Sequence, residues 1–250
     1  MIVWITGGSS GIGRELALQY LALGHKVFVT ARSADKLEAL EDEAAALEGE
    51  YKWAAADVCD AERLKTAYGE LESQWGTPDL AVLNAGTHTP TSARRFDLAT
   101  HETLMQVNYM GVLKCLDVVL PAMQTRGRGQ VALVSSLAGY RGLPGASAYG
   151  ASKAALINFA ESIREELKQD GIDIRLINPG FVKTPLTDLN DFPMPFLMPV
   201  DKAAARIIRG LEKSGFEITF PTRFAFVMKL LRLLPDRLYL AATRKMMRQD

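Results

Sequence analysis

Tyr149 and Lys153 stand four residues apart, and Ser136 lies thirteen residues upstream of the tyrosine. Residues four apart share one face of a helix, so the phenol and the ammonium point the same way. A free tyrosine has a pKa of about 10, and a nearby cation favours its phenolate, which makes the pair a proton donor and acceptor nearer neutral pH. The Ser136 hydroxyl is suited to hold a carbonyl or alcohol oxygen beside that phenol. An ordinary amphipathic helix with an exposed Tyr and Lys has the same spacing, so the pair needs support from the rest of the chain.

That support begins at the other end of the sequence. Thr6-Gly7-Gly8-Ser9-Ser10-Gly11-Ile12-Gly13 lies between a short apolar run with β-branched residues, 1–5, and a segment with Leu16, Tyr20 and Leu23 at helical spacing. A glycine turn between strand and helix suits a pyrophosphate. The helix N-terminus offers outward-pointing N–H groups and the positive end of a dipole, and glycine lets phosphates approach without a Cβ in the way. The spacing Gly7, Gly11, Gly13 departs from the usual G-x-G-x-x-G fingerprint, and glycine serves positive φ in many turns that bind nothing.

The elements that must position these groups alternate along the chain. Strand signals at 26–30, 51–55 and 80–83 are separated by helical patterns through Leu37 and Leu47, and through Leu64 and Leu71. This alternation predicts a doubly wound parallel sheet whose ligands bind at the carboxyl ends of the strands. Three chemically loaded loops fall at those ends: Ala31-Arg32, Asp57-Val58 and Asn84-Ala85-Gly86. In the second half, 130–134 reads as a buried strand leading into Ser136. A helix starting near Ser147 or Tyr149 then carries Lys153.

Taken in order, Thr6 to Gly13, Asn84-Ala85-Gly86, Asn108, Ser136, Tyr149 to Lys153, and Pro179-Gly180 with Thr184 resemble the short-chain dehydrogenase/reductase family, in its compact single-domain branch. The resemblance extends to about residue 219 and implies an α/β Rossmann-like fold, a seven-stranded parallel sheet with helices on both faces. It implies a catalytic tetrad of Asn108, Ser136, Tyr149 and Lys153. Tyr149 would protonate the developing alkoxide, Ser136 would hold the same oxygen, Lys153 would lower the phenol pKa and bind the nicotinamide ribose, and Asn108 would position a relay water. The cofactor contacts it implies are Gly7, Ser9, Ser10, Gly11, Ile12, Gly13, Arg32, Asp57, Val58, Asn84, Ala85, Gly86, Tyr149, Lys153, Pro179, Gly180, Val182 and Thr184. Asp57 and Val58 resemble the adenine contacts, and Val182 and Thr184 the carboxamide contacts. In the helix around 107–111, Asn108 also reads as a packing residue or a kink.

An NAD site usually carries Asp or Glu at the end of the second strand, which accepts from the ribose 2′-OH and repels a 2′-phosphate. Here that position is Ala31, followed by Arg32, whose fork of donors binds phosphate oxygens, so NADP(H) is expected over NAD(H). Arg14 is either a further phosphate contact or a solvated helix residue. The expected activity is interconversion of a carbonyl and an alcohol; the alternative is a non-catalytic NADP(H)-binding sensor or scaffold. A sugar epimerase or dehydratase is disfavoured, because those relatives carry a longer substrate domain.

The 29 basic and 29 acidic residues balance, which gives no electrostatic reason to expect nucleic acid. Cys59 and Cys115 have no metal-ligand spacing, and His25, His88 and His101 are scattered, so no metal is expected. Free thiols, and a first strand that begins at the first methionine, favour a cytoplasmic protein. The stretch 186–200, with Phe192, Met194, Phe196, Leu197 and Met198, is where the family places a substrate lid, and it points to a lipophilic substrate or to plain cover for the sheet edge. His88, Arg94, Phe96 and Tyr140 are candidates to border the pocket. A catalytic domain over 1–220, ending in a strand near 216–220, is followed by an amphipathic basic extension, 221–250, with Phe224, Phe226, Met228, Leu230, Leu231 and Leu233 among Lys229, Arg232, Arg237, Arg244, Lys245 and Arg248. Three uses compete for 222–248: packing over the pocket, an interface in a homodimer or homotetramer, or peripheral contact with an anionic membrane, with the first two ranked ahead.

Overall fold

The computed structural model describes residues 1–189 and 193–244; the expectations placed on Phe192, Lys245 and Arg248 lie outside them. Strands β1 (Ile2–Thr6), β2 (Lys26–Ala31), β3 (Glu50–Ala55), β4 (Leu80–Leu83), β5 (Gly129–Val134), β6 (Ile172–Pro179) and β7 (Glu217–Phe220) form one sheet in the order β3-β2-β1-β4-β5-β6-β7. Every pairing is parallel. The order reverses between β1 and β4, which opens a crevice at their carboxyl ends, where the Gly7 turn and the Asn84 loop emerge.

Alternate strand residues feed two cores. Val3, Ile5, Val27 and Val29 face α1 (Gly11–Ala22), α2 (Ala34–Ala44) and α7 (Val200–Leu211) through Leu16, Tyr20, Leu37, Leu40 and Ile207. Trp4, Phe28, Leu83 and Leu133 face α3 (Ala61–Trp75), α5 (Gly111–Arg126) and α6 (Ser147–Gln169) through Leu64, Leu71, Leu116, Val119 and Leu156. The central strands carry near-continuous apolar runs because both faces are covered. A short α4 (Leu98–Met105) joins α5 through one π turn, Gln106–Met110.

Two local expectations need correction. Helical spacing carries the first helix to Leu23, but Leu23 is the residue after the last turn and is exposed. The second helix ends at Ala44, short of Leu47, which packs on the core from the turn beyond.

Beyond β7 the chain forms α8 (Thr222–Leu233) and α9 (Asp236–Arg244). The inward residues of α8, Ala225 and Met228, join the α5 and α6 side of the core. Arg141 ties both helices down. Its guanidinium donates to the carbonyls of Leu231 (3.2 Å) and Leu234 (2.6 Å), pairs with Asp236 (2.5 Å), and lies 3.9 Å from the centre of the Tyr239 ring. Tyr239 in turn donates to the Gly142 carbonyl at 2.6 Å. The carbonyls at a helix C-terminus have no intrahelical partner, so a guanidinium there satisfies them and complements the dipole.

Arg175 does the same for α7 from inside the sheet. It is 1% exposed, donates to the carbonyls of Gly210 (2.7 Å) and Lys213, and meets Asp173 at 3.4 Å. Arg175→Met keeps the volume and strands those carbonyls, so urea denaturation should show a loss of about 3 kcal/mol. A loss below about 1 kcal/mol would mean that water replaces the guanidinium at no cost.

Candidate active site

The glycine turn is held by the loop after β4. The Thr6 hydroxyl accepts from the backbone N–H groups of Asn84 (3.1 Å) and Ala85 (3.2 Å), and the Asn84 amide donates to the carbonyls of Thr6 (3.2 Å) and Gly7 (3.1 Å). A Cβ on Gly7 would lie 2.7 Å from the Ala85 Cα, and one on Gly13 would lie 2.5 Å from the Asn84 amide nitrogen. Gly7 and Gly11 also take φ of +67° and +56°, a region that disfavours side chains. Asn84 is thus a brace for the turn.

At the start of α1 the Ser10 side chain makes no capping bond, and no acidic residue occupies the first turn. Outward N–H groups and a bare positive dipole end remain, a cradle that fits a pyrophosphate. Thr184 closes it from the far half of the chain, its methyl 3.3 Å from where a Gly11 Cβ would stand. Val182 is buried beside it and pairs with Met198, which sets Met198 at the sheet end.

Past β2 the buried Ala31 is followed by Arg32, whose side chain is 74% exposed and 4.0 Å from Asp57. Asp57 accepts from the Cys59 N–H at 2.9 Å, and Val58 packs against Gly111 at the start of α5. Arg14 is paired with Glu43 and so is not held free for a phosphate.

The proton-transfer candidates converge at the ends of β4 and β5. Lys153 is buried, and its ammonium donates to the Val134 carbonyl at 2.9 Å. Ser135 fixes the helix behind it, donating to the Lys153 carbonyl at 2.8 Å. A Cβ on Gly86 would meet both the Asn108 Oδ1 (3.2 Å) and the Lys153 Nζ (3.5 Å), so glycine there lets the two groups reach one point. The Asn108 side chain accepts from the Thr87 N–H (2.7 Å) and donates to the Thr87 carbonyl and the Ser152 hydroxyl (3.0 Å each). Ser152 donates onward to the Tyr149 carbonyl at 2.8 Å. Asn108 therefore bolts the β4 loop to the helix of Tyr149, and the π turn sets it there; such turns recur at functional sites.

The Ser136 hydroxyl donates to the Pro179 carbonyl at 3.4 Å and accepts from the Ala138 N–H at 3.1 Å, beside the Tyr149 phenol. Burial raises the Tyr149 pKa above its ordinary value, and the neighbouring Ser136 hydroxyl only partly offsets this. The expectation of a phenol drawn toward neutrality by Lys153 is thus corrected. The ammonium lies 5.8 Å from the ring centre and is turned toward Val134, so burial dominates. Burial also lowers the Lys153 pKa, to about 8.

Among the pocket candidates, His88 meets the Tyr149 ring edge-on at 4.8 Å. Phe96 is 67% exposed and stacks on His101. Arg94 is exposed. Tyr140 does not border the pocket: it is buried and donates to Glu217, which also takes bonds from Asn178 and Lys229 (2.6 Å each). Sequence reasoning gave no role to Ser152, Thr87 or Arg141. A serine inside a helix beside the Tyr-Lys pair was the one available signal, because serine there forfeits helix propensity unless its hydroxyl is used.

An aromatic wall stands beside Ser136. Phe181 stacks on Phe224 of α8 (5.5 Å), Phe196 approaches the same ring (6.3 Å), and Gly180 leaves no room between Leu137 and Phe224. Phe224, on the inner side of α8, thus packs on the segment that follows β6.

The family model described as short chain dehydrogenase matches residues 1–191. The chain belongs to the short-chain dehydrogenase/reductase family. The dehydrogenases and reductases of this family work between C–OH and C=O groups with nicotinamide cofactors. An uncharacterized oxidoreductase of Myxococcus xanthus is 40% identical over 242 residues, covering 97% of this chain and 96% of that protein. The 3-oxoacyl-(acyl-carrier-protein) reductase of Staphylococcus aureus is 34% identical over 185 residues, covering 74% and 75%. Among solved structures, a short-chain dehydrogenase from Streptomyces avermitilis superposes with a TM-score of 0.82 at 26% identity, over 98% of this chain and 96% of that one.

A reaction step that uses the Lys153 ammonium should weaken as pH rises through about 8, where the amine loses its proton, while the raised phenol stays protonated. In a profile of kcat/KM for carbonyl reduction from about pH 6 to about pH 10, the fall should begin near the lysine value. A level profile across that range would remove the ammonium from the rate-determining step.

Proposed function

We propose that this chain is an NADPH-dependent reductase of lipophilic ketones or aldehydes, with Tyr149 as the general acid. The observation that carries the reading is the convergence of Ser136, Tyr149 and Lys153 beside an aromatic wall, within one crevice with the glycine cradle. A nicotinamide held by these residues would be the source of the hydride for the carbonyl carbon. Tyr149 gives its proton to the oxygen as negative charge gathers on it, and Ser136 holds the same oxygen. A phenol kept protonated by burial is set for this direction. Lys153 stands behind the tyrosine as the cation and ribose ligand, and Asn108 keeps the two in register while positioning the water that returns a proton.

The cofactor residues are those named from the sequence, from Gly7 to Thr184. Arg32 is the phosphate ligand: it is exposed, follows a neutral Ala31, and its only ion pair among the described residues is the 4.0 Å approach to Asp57. The reductase from Staphylococcus aureus supports a carbonyl as the oxidised substrate. Association into a homodimer or homotetramer belongs to the same reading, with a groove between α5 and α6, lined by Leu113, Leu120, Phe159 and Ile163, as the apolar surface for it.

NADPH oxidation across aldehydes and ketones of increasing apolar size tests the proposal. Turnover should rise with size and fall about 10²- to 10⁴-fold in Tyr149→Phe. Equal rates for the mutant and the parent would dismiss Tyr149 as the acid. For the cofactor, Arg32→Asp should weaken NADPH binding by roughly 10- to 100-fold and leave NADH within a few fold. Fluorescence titration reads both, and indistinguishable dissociation constants for NADPH and NADH in the parent would refute the preference.

A further inference from the structure

The inner face of the α8–α9 pair is accounted for by the core, the aromatic wall and Arg141; the outer face is not. Phe226, Leu230 and Leu233 recur on one side of α8 with Val227 beside them, and they are 68%, 54%, 79% and 46% exposed. On α9, Leu238 and Leu240 are 58% and 64% exposed. The α9 leucines, two residues apart, flank different sides of that helix, whereas large apolar side chains concentrated on one exposed face, as on α8, mark a surface that meets a partner.

Charge identifies the partner. In 221–244 the basic residues are Arg223, Lys229, Arg232, Arg237 and Arg244, and the sole acid, Asp236, is taken by Arg141. Lys229 is paired with Glu217 and Arg232 lies against the Tyr140 ring, whereas among the described residues no ion pair involves Arg223, Arg237 or Arg244. In a chain with balanced charge, this face holds a local excess of cations among exposed aliphatic and aromatic side chains. A second copy is a poor fit. A two-fold dimer would set the same arginines against each other, and the α5–α6 groove offers self-association an apolar surface elsewhere. Long cationic stems beside apolar side chains suit a lipid interface, where the chains enter the acyl boundary and the guanidinium groups reach anionic headgroups. Among the described residues no helix is long and apolar enough to cross a membrane, so the contact is with one leaflet surface.

We infer that the outer face of α8 and α9 docks this protein onto anionic lipid bilayers, with Phe226, Leu230 and Leu233 inserted and Arg223, Arg237 and Arg244 at the headgroups. The docked helices carry Phe224 on their opposite side, so the aromatic wall stands one helix away from the lipid. The inference does not depend on the reductase reading, because its test involves no turnover.

Flotation of the full chain with vesicles of phosphatidylcholine, with and without phosphatidylglycerol, decides it. The parent should float with the anionic vesicles at about 0.1 M salt and do so less as salt rises. Arg223→Ala with Arg237→Ala should weaken partition about fivefold per arginine removed. Phe226→Ser with Leu230→Ser should weaken it more than about tenfold. These side chains point to solvent, so unchanged circular dichroism melts would assign the loss to the surface and not to the fold. Absence of flotation with anionic vesicles, or equal partition by the parent and both variants, would overturn the inference. So would dissociation of an oligomer in Phe226→Ser with Leu230→Ser, measured by sedimentation, which would give the face to a second copy.

Discussion

A lysine ammonium held away from water is the constraint around which the catalytic half of this protein is arranged. Burying a cation is costly unless its protons are bonded, and Lys153 meets that condition in part, with one bond to the Val134 carbonyl at the end of β5. The bond requires α6 to cross the sheet at one height, and Ser135 fixes that height by holding the Lys153 carbonyl. The same crossing brings Tyr149 to Ser136, and Asn108 ties the crossing to the loop after β4. The shifted pKa values of Tyr149 and Lys153 follow from this shared burial.

The cofactor half depends on close approach. Gly7 and Gly13 allow the turn to lie against the Asn84 loop with no side chain between, and the two loops emerge from neighbouring strands because the sheet order reverses there. Thr184 arrives from much later in the chain and closes over Gly11. The extension therefore packs on the core and on Phe181 on one side while it presents an apolar and basic face on the other. Arg141 is the joint between the two roles, since it stems from the loop after Ser136 and holds the carbonyl ends of α8.

Much of this was legible in the sequence, for physical reasons. Strands covered on both faces read as apolar runs, and glycine at a phosphate turn or tyrosine four residues before lysine are local patterns. The less legible features are set by distant partners. Tyr140 has the composition of a pocket residue, but Glu217, seventy-seven positions away, draws its hydroxyl beneath α8. Arg14 is satisfied by Glu43 on another helix, and the grip of Arg141 on Leu234 spans ninety-three positions. Spacing placed Lys153 beside Tyr149, but it did not reveal which way the ammonium turns or how far burial outweighs it. Leu23 failed for a simpler reason: helical spacing continued one residue beyond the helix.

The central claim is that hydride passes from the nicotinamide to a substrate carbonyl while Tyr149 supplies the proton. Incubation with NADPH deuterated at the nicotinamide C4, followed by mass spectrometry of the alcohol formed from a lipophilic ketone, tests it most directly. The account predicts one deuterium on the carbinol carbon, with the product lost in Tyr149→Phe. Tight NADPH binding with no label transferred to any ketone or aldehyde would contradict it and favour a dinucleotide-binding protein without turnover.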